Sequence, residues 1–495
     1  MTGKVTLVGA GPGGRELLTL AGAAAIEKAD AVVFDRLVNE DILGLIPETA
    51  ERVNVGKENN HHPVPQDQIN EILVRLAQEG KNVVRLKGGD CYLFGRGGEE
   101  CEYLLENDVP FAVIPGVTSA LAAPAFAGIP VTHQDFTSSV HIITAHARAG
   151  KPLTIDFDSL VRLDGTLVFL MGLTALEQVT DGLLRAGMQS DMPAAVIENG
   201  ARGTQRKVVS VLSQLAAHVR AKGLQSPALI IVGRVCSLSD ALDWFTPLPL
   251  HGKTIVVTRP KARAGTLADK LRAHGANVIE APCIETVERE DAQQLTAALE
   301  QPHDWAVFTS PAGVPAAVDA LRRLGRDLRA LYGMKIAAIG KGTADALASY
   351  GLTADLVPAQ YDGEHLADAL IAAMPSGGSA LLLRAKQGGR ILPEKLAAAG
   401  IRVTDVPLYD TVHRCDKADA LRSLLAAGKI DAVTFTSVST VEGFREAVGG
   451  TEDAAFTAFC IGAQTAEAAK KYYQNVKIAK NATIEDLLTC IEEEI

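Results

Sequence analysis

Asn82-Val83-Val84-Arg85-Leu86-Lys87-Gly88-Gly89-Asp90-Cys91-Tyr92-Leu93-Phe94-Gly95-Arg96-Gly97-Gly98-Glu99-Glu100 sets an apolar run against a helical pattern, with five glycines crowded around an acid between them. Asn82 to Leu86 reads as a short buried strand. The glycines after it permit positive φ and let a ligand approach backbone in the crevice at the strand's carboxyl end. An ordinary strand-to-helix turn needs only one or two glycines, so this density marks a binding loop. Asp90 adds a carboxylate for a hydroxyl or a cation.

Upstream, Val5-Thr6-Leu7-Val8-Gly9-Ala10-Gly11-Pro12-Gly13-Gly14 followed by Glu16-Leu17-Leu18-Thr19-Leu20 reads as strand, glycine loop and helix. Gly9, Gly11 and Gly14 fit the dinucleotide fingerprint, and Asp35 closes the strand Ala31-Val32-Val33-Phe34 about where a ribose-binding acid belongs. Two features oppose an oxidoreductase. Pro12 has no backbone N–H to offer a pyrophosphate, and a nicotinamide or flavin enzyme has no stated need for the second loop at Gly88-Gly89-Asp90.

At 495 residues with 47% hydrophobic content, the chain has room for several cores, and a prior of about 150 residues per domain suggests roughly three or four units. The seven cysteines are scattered without a C-x-x-C pair, so neither a disulfide framework nor a thiolate zinc site is indicated and a reducing cytoplasm is the natural location. No basic amino terminus leads into an apolar segment and no run reaches membrane-spanning length, so a soluble, unprocessed protein is expected. A formal charge of −11 argues against nucleic acid as a partner. It would also repel a polyanionic ligand, so a pocket for one must be locally basic. His61-His62 invites a metal reading, but adjacent side chains diverge and no ligand set accompanies them, so no metal is expected.

The composition breaks at Trp244-Phe245-Thr246-Pro247-Leu248-Pro249-Leu250-His251-Gly252, whose prolines interrupt any helix or central strand. Beyond it lies an internal repeat. Ile255-Val256-Val257-Thr258-Arg259, with Gly275 and Pro282, recurs 125 residues later as Leu381-Leu382-Leu383-Arg384 with Gly400 and Pro407. Ala306-Val307-Phe308-Thr309-Ser310 recurs 127 residues later as Val433-Thr434-Phe435-Thr436-Ser437, and Ile339-Gly340 with Thr343-Ala344 recurs 122 residues later as Ile461-Gly462 with Thr465-Ala466. Apolar strands alternating with alanine- and leucine-rich segments predict two related parallel α/β lobes with ligands in the crevice between them.

The first half resembles the tetrapyrrole methylases, and specifically uroporphyrinogen-III C-methyltransferase. The resemblance spans residues 2 to about 240 and is carried, in order, by the loop at Gly9 to Gly13, Val32 to Val38, Gly56-Lys57 with His62 and Gln66 to Asn70, and Arg85 to Glu100. It continues through Pro115-Gly116-Val117-Thr118-Ser119-Ala120, Ala127 to His133, Met171-Gly172, Ala195 to Gly200 and Ser226 to Gly233. It implies S-adenosylmethionine as methyl donor and an octacarboxylate porphyrinogen as acceptor. It also implies that Pro12, Gly88, Gly89, Asp90, Leu93, Thr118, Ser119, Met171, Gly200, Ala201 and Ala228 surround the donor, with Asp35 as proton acceptor and Lys57 as proton donor. From the residues alone, Asp35 would read as a turn cap and Lys57 as a surface lysine. Three departures stand out. Cys91 replaces a usual proline, loosening the loop and exposing a thiol; Gln134 replaces an arginine; Arg234 replaces an acid.

The second half resembles uroporphyrinogen-III synthase more loosely, through Val257-Thr258-Arg259-Pro260, Phe308-Thr309-Ser310-Pro311, Leu383-Arg384 with Gly389-Arg390, Tyr409 and the repeated Ile-Gly and Thr-Ser motifs. That reaction folds a linear hydroxymethylbilane into a near-attack shape and helps a hydroxide depart. Tyr409, after the apparent strand Arg402-Val403-Thr404-Asp405-Val406, is the catalytic hydroxyl the resemblance implies, although alone it reads as a strand-end aromatic. Arg259, Lys261, Arg263, Arg384, Lys386 and Arg390 follow equivalent strands and suit substrate carboxylates, the alternative being a solvated basic face. Ser310, Thr343, Ser437 and Thr465 complete the candidate substrate-binding set, Ser437 and Thr465 at helix amino termini.

The expected fold is α/β: a two-lobed methylase over residues 1–246 (lobes about 1–132 and 133–246), then a two-lobed parallel α/β synthase with an internal repeat over 252–495. The resemblance places the synthase lobes at about 252–285 plus 412–495 and at 286–411. The expected enzyme is bifunctional and cytoplasmic, making uroporphyrinogen III and methylating it twice to precorrin-2 on the sirohaem/cobalamin branch. It would bind small-molecule tetrapyrroles, no nucleic acid and no membrane, and form a homodimer through the methylase half. No dehydrogenase–ferrochelatase domain of the kind fused to some methylases is expected. The rival is a methyltransferase whose carboxyl-terminal half only binds tetrapyrroles and regulates.

Overall fold

The structure, a computed structural model, describes residues 2–56, 64–145, 154–259, 261–289, 293–449 and 455–495, with the side chains of 261–266 outside the description. It divides into two compact units, Met1–Thr254 with Leu271–Val278, and Ile255–Lys270 with Ile279–Ile495. Both are α/β, as the sequence predicts. Among the described residues, no helix is long and apolar enough to cross a membrane.

The first unit opens with β1 (Lys4–Gly9), β2 (Ala31–Phe34), β3 (Glu51–Asn54), β4 (Asn82–Lys87) and β5 (Phe111–Ile114), which form one parallel sheet in the order β3-β2-β4-β1-β5. The central strands are apolar on both faces because helices cover both. Val5, Leu7, Val33 and Val83 face one core with Leu73, Leu76 and Leu104, while Val8, Val32, Val84 and Leu86 face another with Ile26 and Ile42. The second sheet contains β6 (Val140–Thr144), β7 (Thr166–Leu170), β8 (Pro193–Glu198), β9 (Arg206–Val211) and β10 (Ala228–Val232) in the order β6-β7-β10-β8-β9. It is mixed: β10 runs antiparallel to both β7 and β8.

The glycine loop after β1 does not open directly into an α-helix at Glu16. A 3-10 turn covers Arg15–Leu17, and the helix Leu20–Glu27 begins only after Thr19, whose Oγ1 accepts from Gly22 N at 3.1 Å. That N-cap fixes the start. It also removes the helix terminus a dinucleotide pyrophosphate would need at the loop.

The proline-bearing stretch after Trp244 is packed rather than loose. Phe245 and Leu250 are buried, and Phe126 lies 4.9 Å, centroid to centroid, from each of Trp244 and Phe245.

The remaining strands are β11 (Thr254–Val257), β12 (Asn277–Glu280), β13 (Ile284–Glu288), β14 (Trp305–Phe308), β15 (Lys335–Ala338), β16 (Ser379–Ala385), β17 (Arg402–His413), β18 (Ala432–Phe435), β19 (Thr457–Cys460) and β20 (Val476–Ile478). They form two sheets, β12-β11-β18-β19-β20 and β13-β17-β16-β14-β15. The sequence repeat therefore exchanges strands. β11 and β12 of the first copy join β18 and β19 of the second, while β14 and β15 of the first join β16 and β17 of the second. Equivalent strands hold equivalent places, so each sheet rebuilds the same motif from both copies. Among the described pairings, β13 departs from the expected parallel order by running antiparallel to β17.

β17 is longer than its sequence suggests. Proline cannot donate to a ladder, so Pro407 predicts an end at Val406. The strand instead continues to His413 across an irregularity where Arg384 pairs with Pro407 and Ala385 with Tyr409. A bulge is where a sheet tolerates proline.

Candidate active sites

Three glycine segments meet at the carboxyl ends of the adjacent strands β4, β1 and β5. Gly11 N donates to Gly89 O at 3.0 Å and Gly89 N to Gly11 O at 2.9 Å, with Gly89 at φ +70°. A Cβ at Gly9 would lie 2.6 Å from Gly116 Cα, so the backbones touch only because side chains are absent. Above Gly89 there is room, since an added Cβ would meet nothing nearer than Ser119 N at 3.9 Å. Thr118 caps the helix Ser119–Phe126, its Oγ1 accepting from Ala120 N.

Asp90 serves the loop itself. Its Oδ1 accepts from Tyr92 N and Leu93 N, and its Oδ2 from Gly116 N, all at 2.9 Å. The carboxylate expected to face a ligand thus braces two loops. Cys91 corrects another expectation: it is fully buried, and burial, with Asp90 close by, pushes its thiol up to about 11. The thiol is therefore neither exposed nor activated there.

From the second sheet, Met171 follows β7, and Gly200 and Ala201 follow β8. Ala228 starts β10 opposite Glu198, so the antiparallel order returns it to the same rim. Met171, Asn199 and Ala201 have φ of 56°, 50° and 62°. Such backbone costs about 1–3 kcal/mol per residue and collects at functional rims. The two rims touch: a Cβ at Gly13 would lie 2.6 Å from Ala201 O. Arg202 Nε donates to Pro12 O at 3.0 Å and its Nη2 to Leu37 O at 2.8 Å. Pro12, Gly88, Gly89, Asp90, Leu93, Thr118 and Ser119 thus edge the first sheet, opposite Met171, Gly200, Ala201 and Ala228. Nothing in the sequence distinguishes Arg202 from a solvated arginine.

Asp35 follows β2. Arg85 Nη2 donates to its Oδ1 at 2.7 Å, and Oδ2 has no hydrogen bond among the described residues. Behind this pair, Glu100 Oε1 accepts from Arg85 Nε at 3.1 Å, Lys87 Nζ at 2.7 Å and Gln66 Nε2 at 3.0 Å. Burial, reinforced by Arg85, holds the Lys87 ammonium below the usual lysine range. Sequence reasoning missed this cluster, although charges at alternate positions of a strand otherwise buried were the available signal. Lys57, His61 and His62 lie outside the described residues.

In the second unit, Tyr409 lies within β17, not beyond it, and is buried. Its hydroxyl is 2.6 Å from Ser310 Oγ, which also accepts from Gly313 N at 3.0 Å. Two predicted groups are therefore brought together. Thr343 occupies the first turn of the helix Lys341–Ser349 and is buried. Arg384 is buried rather than reaching outward: it binds Asp405 through Nε and Nη2 and donates from Nη1 to Gly389 O at 2.6 Å. Lys386 is exposed two residues on. On the other sheet Arg259 follows β11, Ser437 caps the helix Val438–Val448 and Thr465 lies in the helix Ala463–Ala469. The Lys261 side chain lies outside the description. Tyr409 and Arg384 lie within β17 and β16, while Ser310, Thr343, Lys386, Arg259, Ser437 and Thr465 sit past the carboxyl ends of their own parallel strands, where α/β sheets bind ligands.

Residues 4–216 match the family model of tetrapyrrole (corrin/porphyrin) methylases, and residues 265–489 match that of uroporphyrinogen-III synthase HemD. A porphyrin biosynthesis protein HemD of Ruminiclostridium josui is 46% identical over 488 residues, covering 98% of this chain and 97% of that relative. A siroheme synthase of Salmonella schwarzengrund is 52% identical over 244 residues, 49% of this chain and 52% of the relative, so the chain spans about half the length of the siroheme synthases it matches. The crystal structure of a uroporphyrin-III C-methyl transferase from Thermus thermophilus, complexed with S-adenyl homocysteine, aligns over 48% of this chain and 100% of its own, with 38% identity and a TM-score of 0.41. The chain belongs to the porphyrin-biosynthesis family in which a tetrapyrrole methylase is followed by a uroporphyrinogen-III synthase in one polypeptide.

Proposed function

We propose that the second half cyclises hydroxymethylbilane to uroporphyrinogen III with inversion of ring D, and that the first half methylates this product twice with S-adenosylmethionine to precorrin-2. The glycine crossing carries the reading. It presents bare backbone with open space over Gly89, a cradle that suits a donor lying against the chain. When bound, S-adenosylmethionine supplies an electrophilic methyl group to an electron-rich pyrrole carbon. The protein's own work is to align the reactants and manage a proton. Gly88, Gly89, Leu93, Thr118 and Ser119 hold the donor from one rim, and Pro12, Met171, Gly200, Ala201 and Ala228 close round it. Asp90 shapes the loop from behind. Asp35 accepts a proton at Oδ2, and Lys57 donates one.

In the second half the Tyr409–Ser310 pair delivers a proton to the departing hydroxide. Arg259, Lys261 and Lys386 hold substrate carboxylates, with Thr343, Ser437 and Thr465 at helix amino termini, offsetting a chain of net charge −11. Arg384 braces the loop that carries Lys386. A cytoplasmic location agrees with seven unpaired cysteines. A homodimer through the methylase half rests on the family resemblance alone.

The test supplies each substrate separately to the full chain. Hydroxymethylbilane should give the type III isomer above the spontaneous type I background, and uroporphyrinogen III with donor should give a dimethylated product. Failure of the first alone would reduce the second half to a tetrapyrrole-binding module.

A further inference from the structure

Two cations project from one face of a central strand into a core. Side chains alternate across a sheet, so Arg85 and Lys87 share the face of Val83, which packs with Leu73, Leu76 and Leu104. The side chains of Arg85, Lys87 and Glu100 are 2%, 4% and 0% exposed. Paired charges in such a place repay their desolvation poorly, and apolar residues of similar volume usually serve stability as well. The geometry offers another reason to keep them. Arg85 spans two carboxylates with different nitrogens, Nε to Glu100 and Nη2 to Asp35, while Lys87 and Gln66 converge on the same Glu100 oxygen.

We infer that Arg85 is a positioning residue for methyl transfer: anchored by Glu100, its guanidinium fixes Oδ1 of Asp35 and so leaves Oδ2 as the oriented proton-accepting atom. The inference rests on the reading of Asp35 as proton acceptor. Arg85 touches no reacting atom. Lysine, with a single nitrogen on a flexible stem, cannot reproduce a rigid fork between two carboxylates.

The test uses the full chain with uroporphyrinogen III and S-adenosylmethionine, comparing kcat, KM and donor Kd for Arg85→Met, Arg85→Lys, Asp35→Asn and the double variant Arg85→Met/Asp35→Asn. A misplacement of about 1 Å can cost ~10²-fold in rate. Arg85→Met should therefore lose about 10- to 100-fold in kcat while the donor Kd stays within about 2-fold, and Arg85→Lys should not restore the rate. In the Asp35→Asn background Arg85→Met should cause no further loss. An Arg85→Met enzyme at wild-type kcat, or one losing the same factor with and without Asp35, overturns the inference while leaving Asp35 in place. An Asp35→Asn enzyme at full rate removes the reading of Asp35, and the inference with it. Should Arg85→Met not fold, Glu100→Gln, which keeps the shape and removes the anchoring charge, must lower kcat at unchanged donor Kd; an unchanged kcat overturns the inference.

Discussion

Replacing Tyr409 by Phe removes one oxygen from a buried ring and leaves the packing intact. Among the described contacts, the substitution gives up the 2.6 Å approach to Ser310, whose Oγ keeps Gly313 N at 3.0 Å. A neutral hydrogen bond contributes about 1 kcal/mol net, equivalent to roughly 2–4 °C in Tm for a unit of this size. If the hydroxyl assists departure of hydroxide, type III synthesis should fall by about 10²-fold or more. That is about 2.7 kcal/mol at 1.36 kcal/mol per decade, well beyond the stability term. The assay separates uroporphyrinogen III from the spontaneous type I isomer by chromatography, with melting followed in parallel and methylation of supplied uroporphyrinogen III as the internal control. A Tyr409→Phe enzyme that melts a few degrees lower yet cyclises at the full rate would refute the assignment and reduce Tyr409 to packing, leaving ring inversion to conformational control.

The remaining expectations concern the first half and the thiols. Asp35→Ala should lower methylation by about 10²-fold or more and leave type III synthesis unchanged, the reverse of the tyrosine variant, in paired rate assays. Gly116→Ala would drive a Cβ against the Gly89 carbonyl oxygen and to 2.6 Å from Gly9 C, so calorimetry on folded protein should show donor binding lost. Gly89→Val faces open space but a φ of +70° that valine rarely adopts, so it should also weaken donor binding; unchanged affinity would take the loop out of the donor site. The neighbouring Cys283 holds the Cys415 thiol below the ordinary range, while burial raises Cys91 and Cys236. Iodoacetamide near pH 7 should therefore modify Cys415 before either buried thiol, and its rate should climb with pH as the thiolate forms; mass spectrometry of the peptides checks the order.

Residues 9–14 and 82–98 carried the first half of the answer in one dimension. Glycine at points where three backbones cross is a local necessity, and local necessity is written where it acts. The repeat at offsets of 125, 127 and 122 residues likewise declared two related sets of strands. What the chain order could not declare was partnership. β11 pairs with β18 and β14 with β16, because sheet pairing depends on what lies alongside in space and a repeat is compatible with either assortment. The continuation of β17 through Pro407 is of the same kind, a bulge that exists only because β16 lies beside it. Arg384 and Asp90 read as ligand contacts or solvated charge until folding brought Asp405 and Gly116 against them, and Arg202 carried no signal until folding set it against Pro12. Residue type and spacing determined which backbone could approach a ligand. Tertiary structure decided which charges were already committed to the protein, because a side chain's partners are set by proximity across the fold, 50 residues away for Arg85 and Asp35 and 99 for Tyr409 and Ser310.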